Sequence, residues 1–220
     1  MKRNYCSTML IDLTHTLKNG MPVYPGSRAF RAESDSRIET DGFAELGLEL
    51  CTHTGTHMDA PSHILPDATS LDQFSVDAFA GSALVLDCSQ QPSITLDILN
   101  SCADDIRMVK FLLMYTGWEQ KWNTPDYFHN FPTLSEPAAR LLSRMNLQGI
   151  GLDTLSVDKV TDDHLPNHNI LLGQNILIIE NLTNLHKLLG NRFEFQCFPL
   201  KIDNSDAAPV RAMARLMDDR

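Results

Sequence analysis

The stretch His53-Thr54-Gly55-Thr56-His57-Met58-Asp59-Ala60-Pro61-Ser62-His63 constrains this chain more than any other. It carries three imidazoles and one carboxylate within eleven residues. Neutral imidazole and carboxylate are the donor types that suit a borderline divalent metal such as zinc. His53, His57 and Asp59 form a candidate ligand trio. His63 lies beyond Pro61, so it can stand beside a metal without ligating it; service as a further ligand is the alternative. A metal with an open position and an adjacent base is the equipment of a hydrolase.

The backbone of the motif is not that of a regular helix. Gly55 permits conformations that other residues resist, and Pro61 biases Ala60 away from helical geometry. Upstream, Leu46, Leu48 and Leu50 alternate with Glu45, Gly47, Glu49 and Cys51, the period-two signature of a strand. Continuing that alternation puts His53 on the face opposite the leucines. An extended strand would hold the His53 and His57 Cα atoms roughly 13 Å apart, so a shared ion requires a bend at Gly55. Cys51 is either a packed thiol or a group that approaches the metal.

A second cluster lies downstream. His168 precedes an apolar run, and Glu180 ends the run Ile176–Ile179, which has the character of a buried strand. A carboxylate buried there must be paired, protonated or metal-bound; a strand terminus facing water is the other reading. His164, Asp162 and Asp163 are read as solvated loop residues.

Length and composition bound the rest. At 220 residues with 43% hydrophobic content, residues 1–220 are expected to form a single domain. A net charge of −10 argues against nonspecific nucleic-acid binding. The five cysteines, Cys6, Cys51, Cys88, Cys102 and Cys197, are dispersed and odd in number, which fits reduced thiols in the cytoplasm. Lys2-Arg3 is followed by Ser7-Thr8 and Asp12 rather than by the apolar core of a secretory leader, and no run reaches membrane-spanning length.

A coarse pass gives strands near Met9–Leu13, Glu45–Thr52, Ala83–Cys88, Val109–Tyr115, Gly149–Asp153, Ile176–Glu180 and Phe193–Lys201. Helices are expected near Leu71–Phe79, Thr95–Cys102, Glu136–Met145 and Leu182–Leu189. Ser135-Glu136-Pro137 is a helix start with a capping hydroxyl and an early proline, and Gly190 is a helix stop. The order is mixed α/β, with topology left open.

The eleven-residue motif resembles the H-x-G-T-H-x-D-x-P-x-H signature of the metal-dependent cyclase-like hydrolases, the family that includes bacterial kynurenine formamidase (arylformamidase) and isatin hydrolase. Ile11–His15, Met21–Gly26, Thr116-Gly117-Trp118, Gly151–Asp158, Glu180-Asn181-Leu182 and Pro209–Ala212 resemble further family segments in the same order. The resemblance implies an α/β, swivelling β/β/α fold with a barrel-like mixed sheet. It implies metal ligation by His53, His57 and Asp59, with His168 and Glu180 completing a binuclear set in the formamidase branch. It further implies His63 as proton donor and acceptor, and Tyr24 as a substrate contact where many members carry tryptophan. Implied partners are a small-molecule amide and further copies of the chain, as a homodimer or homotetramer.

The implied chemistry is hydrolysis of an amide carbon–nitrogen bond, arylformamidase-like, with zinc favoured and manganese possible. Ring opening of a cyclic amide with one manganese, as in isatin hydrolase, is an alternative. A metal-binding module without turnover is another, although pure structure needs no spare base such as His63.

Overall fold

A computed structural model describes residues 9–217. Cys6 and the Lys2-Arg3 pair lie outside the described residues. The strands are β1 (Leu10–Asp12), β2 (Arg31–Ser36), β3 (Glu45–Glu49), β4 (His57–Asp59), β5 (Ala80–Asp87), β6 (Phe111–Tyr115), β7 (Gly149–Leu152), β8 (Leu177–Glu180), β9 (Phe193–Pro199) and β10 (Ala207–Leu216). The α-helices are α1 (Ile38–Asp41), α2 (Leu96–Asn100), α3 (Ala103–Arg107), α4 (Glu136–Leu142) and α5 (Pro166–Leu172).

Seven strands close into a mixed barrel in the order β10-β4-β8-β7-β6-β5-β9, with β9 pairing back to β10 and β1 added on the outer side of β10. The four strands β5-β6-β7-β8 are parallel; the remaining pairings are antiparallel. Parallel neighbours need long crossovers, and these carry α2 to α5. The barrel-like mixed sheet implied by the resemblance is thus the observed architecture.

Strand alternation sorts the apolar residues into two cores. On β6, Phe111, Leu113 and Tyr115 point into the barrel with Met58, Leu177, Ile179, Phe193 and Phe195. Leu112 and Met114 point outward with Ile150, Leu152 and Ile178, beneath Leu99, Leu142 and Leu171 of the helices. Burying each such side chain contributes about 1.5–3 kcal/mol. The barrel interior is tight at Gly151, where a Cβ would lie 2.6 Å from Leu182 and 2.7 Å from Leu113.

Several expectations require correction. Leu71–Phe79 is not an α-helix but two 3-10 turns, Leu71–Gln73 and Val76–Phe79, separated by an extended Ser75. Leu182–Leu189 contains only the 3-10 turn Leu185–Leu188. There Leu182 still forms a β-bridge with Thr14 and donates its amide to the Leu152 carbonyl, and Asn184 has φ +61°, so a helix cannot start until Leu185. Strand β3 ends at Glu49 and pairs only with β2, forming a separate two-stranded sheet. Its leucines face outward: Leu46 and Leu48 are 64% and 60% exposed. The alternation is present, but its apolar side is not this chain's core. In the segment Tyr127–Phe131, Tyr127 and Phe131 are buried and packed around Leu155, while His129 and Asn130 are exposed.

Candidate active site

The motif begins in an irregular segment that turns at Gly55, with φ +66°, and then enters β4. The turn brings the His53 and His57 rings to a centroid separation of 5.0 Å. Strand β4 pairs with β8 so that His57 lies opposite Glu180. Met58 faces the barrel interior; His57 and Asp59 therefore share the outer face with Glu180, under the helix layer. Helix α5 crosses that face and supplies His168. His57, Asp59, His168 and Glu180 are all buried.

The geometry divides around Asp59. Its Oδ1 lies 2.9 Å from His53 Nδ1 and 3.4 Å from His57 Nε2, whereas Oδ2 lies 3.8 Å from His168 Nε2. Glu180 places Oε2 3.5 Å from His57 Nε2 and Oε1 3.4 Å from His168 Nε2. His53, His57 and Asp59 form one compact donor set, and Asp59, His168 and Glu180 form another.

Each imidazole is aimed by a partner on its other nitrogen. His57 Nδ1 contacts the Gly55 carbonyl at 2.9 Å, His53 Nε2 contacts Asp206 Oδ2 at 2.9 Å, and His168 Nδ1 contacts Asp158 Oδ2 at 2.7 Å. Such outer partners fix the tautomer that leaves the inner nitrogen free for a metal. Asp158 also accepts the Asn167 and His168 amides at 3.0 Å each, so one carboxylate both caps α5 and orients its histidine. Asn181 donates to the Gly55 carbonyl and accepts from the buried Tyr127 hydroxyl, which locks the turn in place.

The donor set fits a divalent cation. Asp59 Oδ2 and His57 Nε2 are buried without a hydrogen-bond partner, and Asp59 Oδ1 has only the 2.9 Å approach of His53 Nδ1, which lacks hydrogen-bond alignment; leaving such groups unsatisfied is costly. A cation between the imidazoles and carboxylates satisfies all three atoms. The electrostatics agree. Burial works against charge on Asp59, yet His57 and His53 hold its carboxyl well below the usual range. Burial likewise disfavours a charged His53, but Asp59 and Asp206 outweigh it and raise its pKa to about 10. His168 is raised to about 10 against burial, chiefly by Asp158 and Glu180. The carboxylates thus favour positive charge at this spot, and a metal held there by His53, His57, Asp59, His168 and Glu180 would take the place of protons on the imidazoles.

A cavity of about 210 Å³ opens beside these groups. Tyr24, Leu155, Leu165 and Cys51 wall it, and His63 lies on its rim side. Cys51 is half-buried and reduced. Burial and nearby Glu180 and Asp158 raise the Tyr24 pKa, keeping its hydroxyl neutral. Leu165, just ahead of α5, has φ +43°, a conformation costly for a leucine. His164 stays exposed outside the cluster. The structure therefore brings all seven candidate residues to one place. It adds Asp158, which closes the family-like segment Gly151–Asp158 without being singled out as a site residue, and Asp206, which lies outside every segment that resembles the family.

Fold and site together define a class: an α/β barrel protein with a buried imidazole–carboxylate centre suited to a divalent metal. The chain belongs to the Cyclase family, whose model matches residues 11–159. It is 32% identical over 209 residues to the kynurenine formamidase of Geobacillus thermodenitrificans, covering 94% of this chain and 97% of that protein. Its fold superposes on isatin hydrolase A from Labrenzia aggregata bound to benzyl benzoate, with TM-score 0.86, 28% identity, and coverage of 96% and 94% of the two chains. A structure described as a "potential metal-dependent hydrolase with cyclase activity" matches with TM-score 0.82, 25% identity, and coverage of 97% and 100%.

Proposed function

We propose that this chain is a metal-dependent amide hydrolase, arylformamidase-like in its chemistry. The observation that carries the reading is the convergence of two donor sets on the shared Asp59 carboxylate, beside a cavity that also receives His63 and Tyr24. In this reading His53, His57 and Asp59 hold one metal, and Asp59, Glu180 and His168 hold a second. A divalent metal supplies Lewis acidity when bound, acidifying water and polarising a carbonyl. The remaining work falls to the chain. His63 takes the proton of the attacking water and returns it to the leaving nitrogen. Asp158, Asp206 and the Gly55 carbonyl hold the ligand imidazoles in register, and Tyr24 offers a flat apolar wall with a polar tip. The imidazole-rich set suits zinc, with manganese the alternative.

Ring opening of a cyclic amide is the second reading, supported by the likeness to isatin hydrolase A. Metal analysis of the purified protein, followed by a panel of aryl formamides and cyclic amides, separates the two. Two metals with formamide turnover support the first; one metal with ring opening supports the second. A tightly held metal with no turnover on the panel would sink both in favour of a binding module.

The chain is further read as a cytoplasmic homodimer or homotetramer, acting on a small-molecule amide and not on nucleic acid. The cytoplasmic placement is supported by the free thiols of Cys51, Cys88, Cys102 and Cys197. No helix among the described residues is long and apolar enough to cross a membrane. Self-association is supported by the β2–β3 arm, which exposes Ile38, Phe43, Leu46 and Leu48; an isolated two-stranded sheet is only marginally stable. Light scattering at micromolar concentration should give a multiple of the 24.7 kDa chain mass, and Leu46→Glu with Leu48→Glu should reduce it to the monomer. A monomeric parent would refute self-association.

A further inference from the structure

Asp206 stands at the end of the segment leading into β10, where no feature of the motif points to it. Its Oδ2 meets His53 Nε2 at 2.9 Å and lies 3.6 Å from His63 Nδ1. The two imidazoles are themselves in contact, with centroids 4.2 Å apart. His63 borders the inner cavity and also an outer groove, and Asp206 lines that groove. One carboxylate oxygen therefore faces both a ligand of the first donor set and the base beside it. The Asp206 side chain is 40% exposed, so it keeps solvent on its far side, whereas the Asp59 carboxylate beyond His53 is fully buried.

We propose that Asp206 is the positioning residue for His63: its carboxylate selects the Nδ1–H tautomer and leaves Nε2 as the basic nitrogen for the proton transfers of hydrolysis. The inference deepens the reading of His63 as proton shuttle and rests on it. The physical reason is that a neutral imidazole is a donor on one nitrogen and an acceptor on the other. A carboxylate accepts only, so the nitrogen that faces it must carry the hydrogen. The 3.6 Å gap is longer than a hydrogen bond, and a modest rotation of the His63 ring closes it; catalytic contacts of this kind are commonly long before substrate binds. Because the same oxygen receives His53 Nε2–H, the base is also held in fixed relation to the ligand set. Orientation of the base and orientation of the ligand then depend on one side chain. Asparagine at this position offers an amide nitrogen of similar shape that donates, which permits the opposite imidazole tautomer. Glutamate keeps an acceptor-only group on a longer stem.

The test uses zinc-loaded protein with 15N-labelled histidine, in which long-range 1H–15N spectra report each imidazole tautomer, and His63→Gln identifies the His63 signals. The proposal expects Nδ1–H at His63 in the parent near pH 8. It expects loss of that tautomer in Asp206→Asn, with zinc stoichiometry retained at saturating metal, and recovery in Asp206→Glu. On whichever amide the parent hydrolyses, Asp206→Asn should lower kcat about 10- to 100-fold while moving KM less than about threefold, a part of the roughly 10²–10⁴-fold that the base itself contributes, and Asp206→Glu should regain part of it. Nε2–H at His63 in the parent would overturn the proposal without recourse to any variant, as would His63 signals unchanged in Asp206→Asn. Loss of one zinc equivalent from Asp206→Asn would make Asp206 a ligand and overturn it as well. A parent protein with the Nδ1–H tautomer but no turnover would leave the positioning intact and sink the hydrolase reading instead.

Discussion

Asp59 and Glu180 stand on adjacent antiparallel strands, and each divides its two oxygens between the same pair of imidazoles, those of His57 and His168. Asp59 belongs to both compact donor sets, whereas Glu180 belongs to the one with His168, so a cation held in either set would draw on Asp59.

Asp59→Asn should therefore deplete metal from both positions, leaving the dialysed protein with less than half of the parent's content by elemental analysis. Glu180→Gln should do less, because Glu180 contacts two imidazoles and Asp59 contacts three. Parent-like metal content in Asp59→Asn would contradict the shared-carboxylate arrangement.

His63→Ala should leave metal content nearly intact while lowering kcat by about 10²–10⁴-fold, the usual reach of a general acid–base group. Steady-state kinetics beside elemental analysis decides between base and ligand. Metal lost in parallel with activity would make His63 a ligand.

Tyr24→Ala should raise KM for an aryl formamide more than for a small aliphatic amide, since the aromatic wall contributes binding rather than chemistry. Comparing KM for the two substrates checks this. Equal effects would point to a substrate without an aromatic ring.

Asp153 offers a pH test away from the metal residues. Burial raises its pKa to about 6, against the hydrogen bonds it accepts from Thr116. The folded pKa lies above the ordinary carboxylate value, so the stability linked to protonated Asp153 is complete below about pH 4 and is lost as pH rises through 6. Asp153→Asn cannot ionise and keeps an acceptor for Thr116. Urea unfolding should show the variant gaining on the parent by about 2–3 kcal/mol between pH 4 and pH 7.5. A parent–variant difference that is flat with pH would show that Asp153 does not titrate there.

What the sequence made legible follows from pattern length. The His53–His63 cluster stood out because donor chemistry is dense there, and Glu180 because it closes an apolar run that proved to be β8, wholly buried. Strand β4 has only three residues, too few for a period to register. Strand β10 contains Pro209, which removes a ladder donor, yet it pairs with β4 through that position. Asp158 and Asp206 act by facing a histidine ring in three dimensions; the family-like segment Gly151–Asp158 contains the first without stating its role, and no motif contains the second. The leucine alternation of β3 marks a strand, but Leu46 and Leu48 are exposed, because periodicity reports an apolar face and not what covers it. The spacing of Leu71–Phe79 and Leu182–Leu189 fits a helical period, but 3-10 turns present the same residues with fewer backbone bonds.

Strand β10 bonds to β1, β4 and β9 at once. During synthesis, every other strand of the barrel leaves the ribosome before it. Until it docks, β4 and β9 carry open edges, and Asp206 has no fixed place beside His53 and His63. The last strand made is thus the latch of the barrel, and a chain cut short before Ala207 would present raw sheet edges of the kind that recruit other chains into aggregates. Docking of β10 therefore closes the barrel and sets Asp206 beside His53 and His63 in one step, so a copy that lacks this strand has no half-working form.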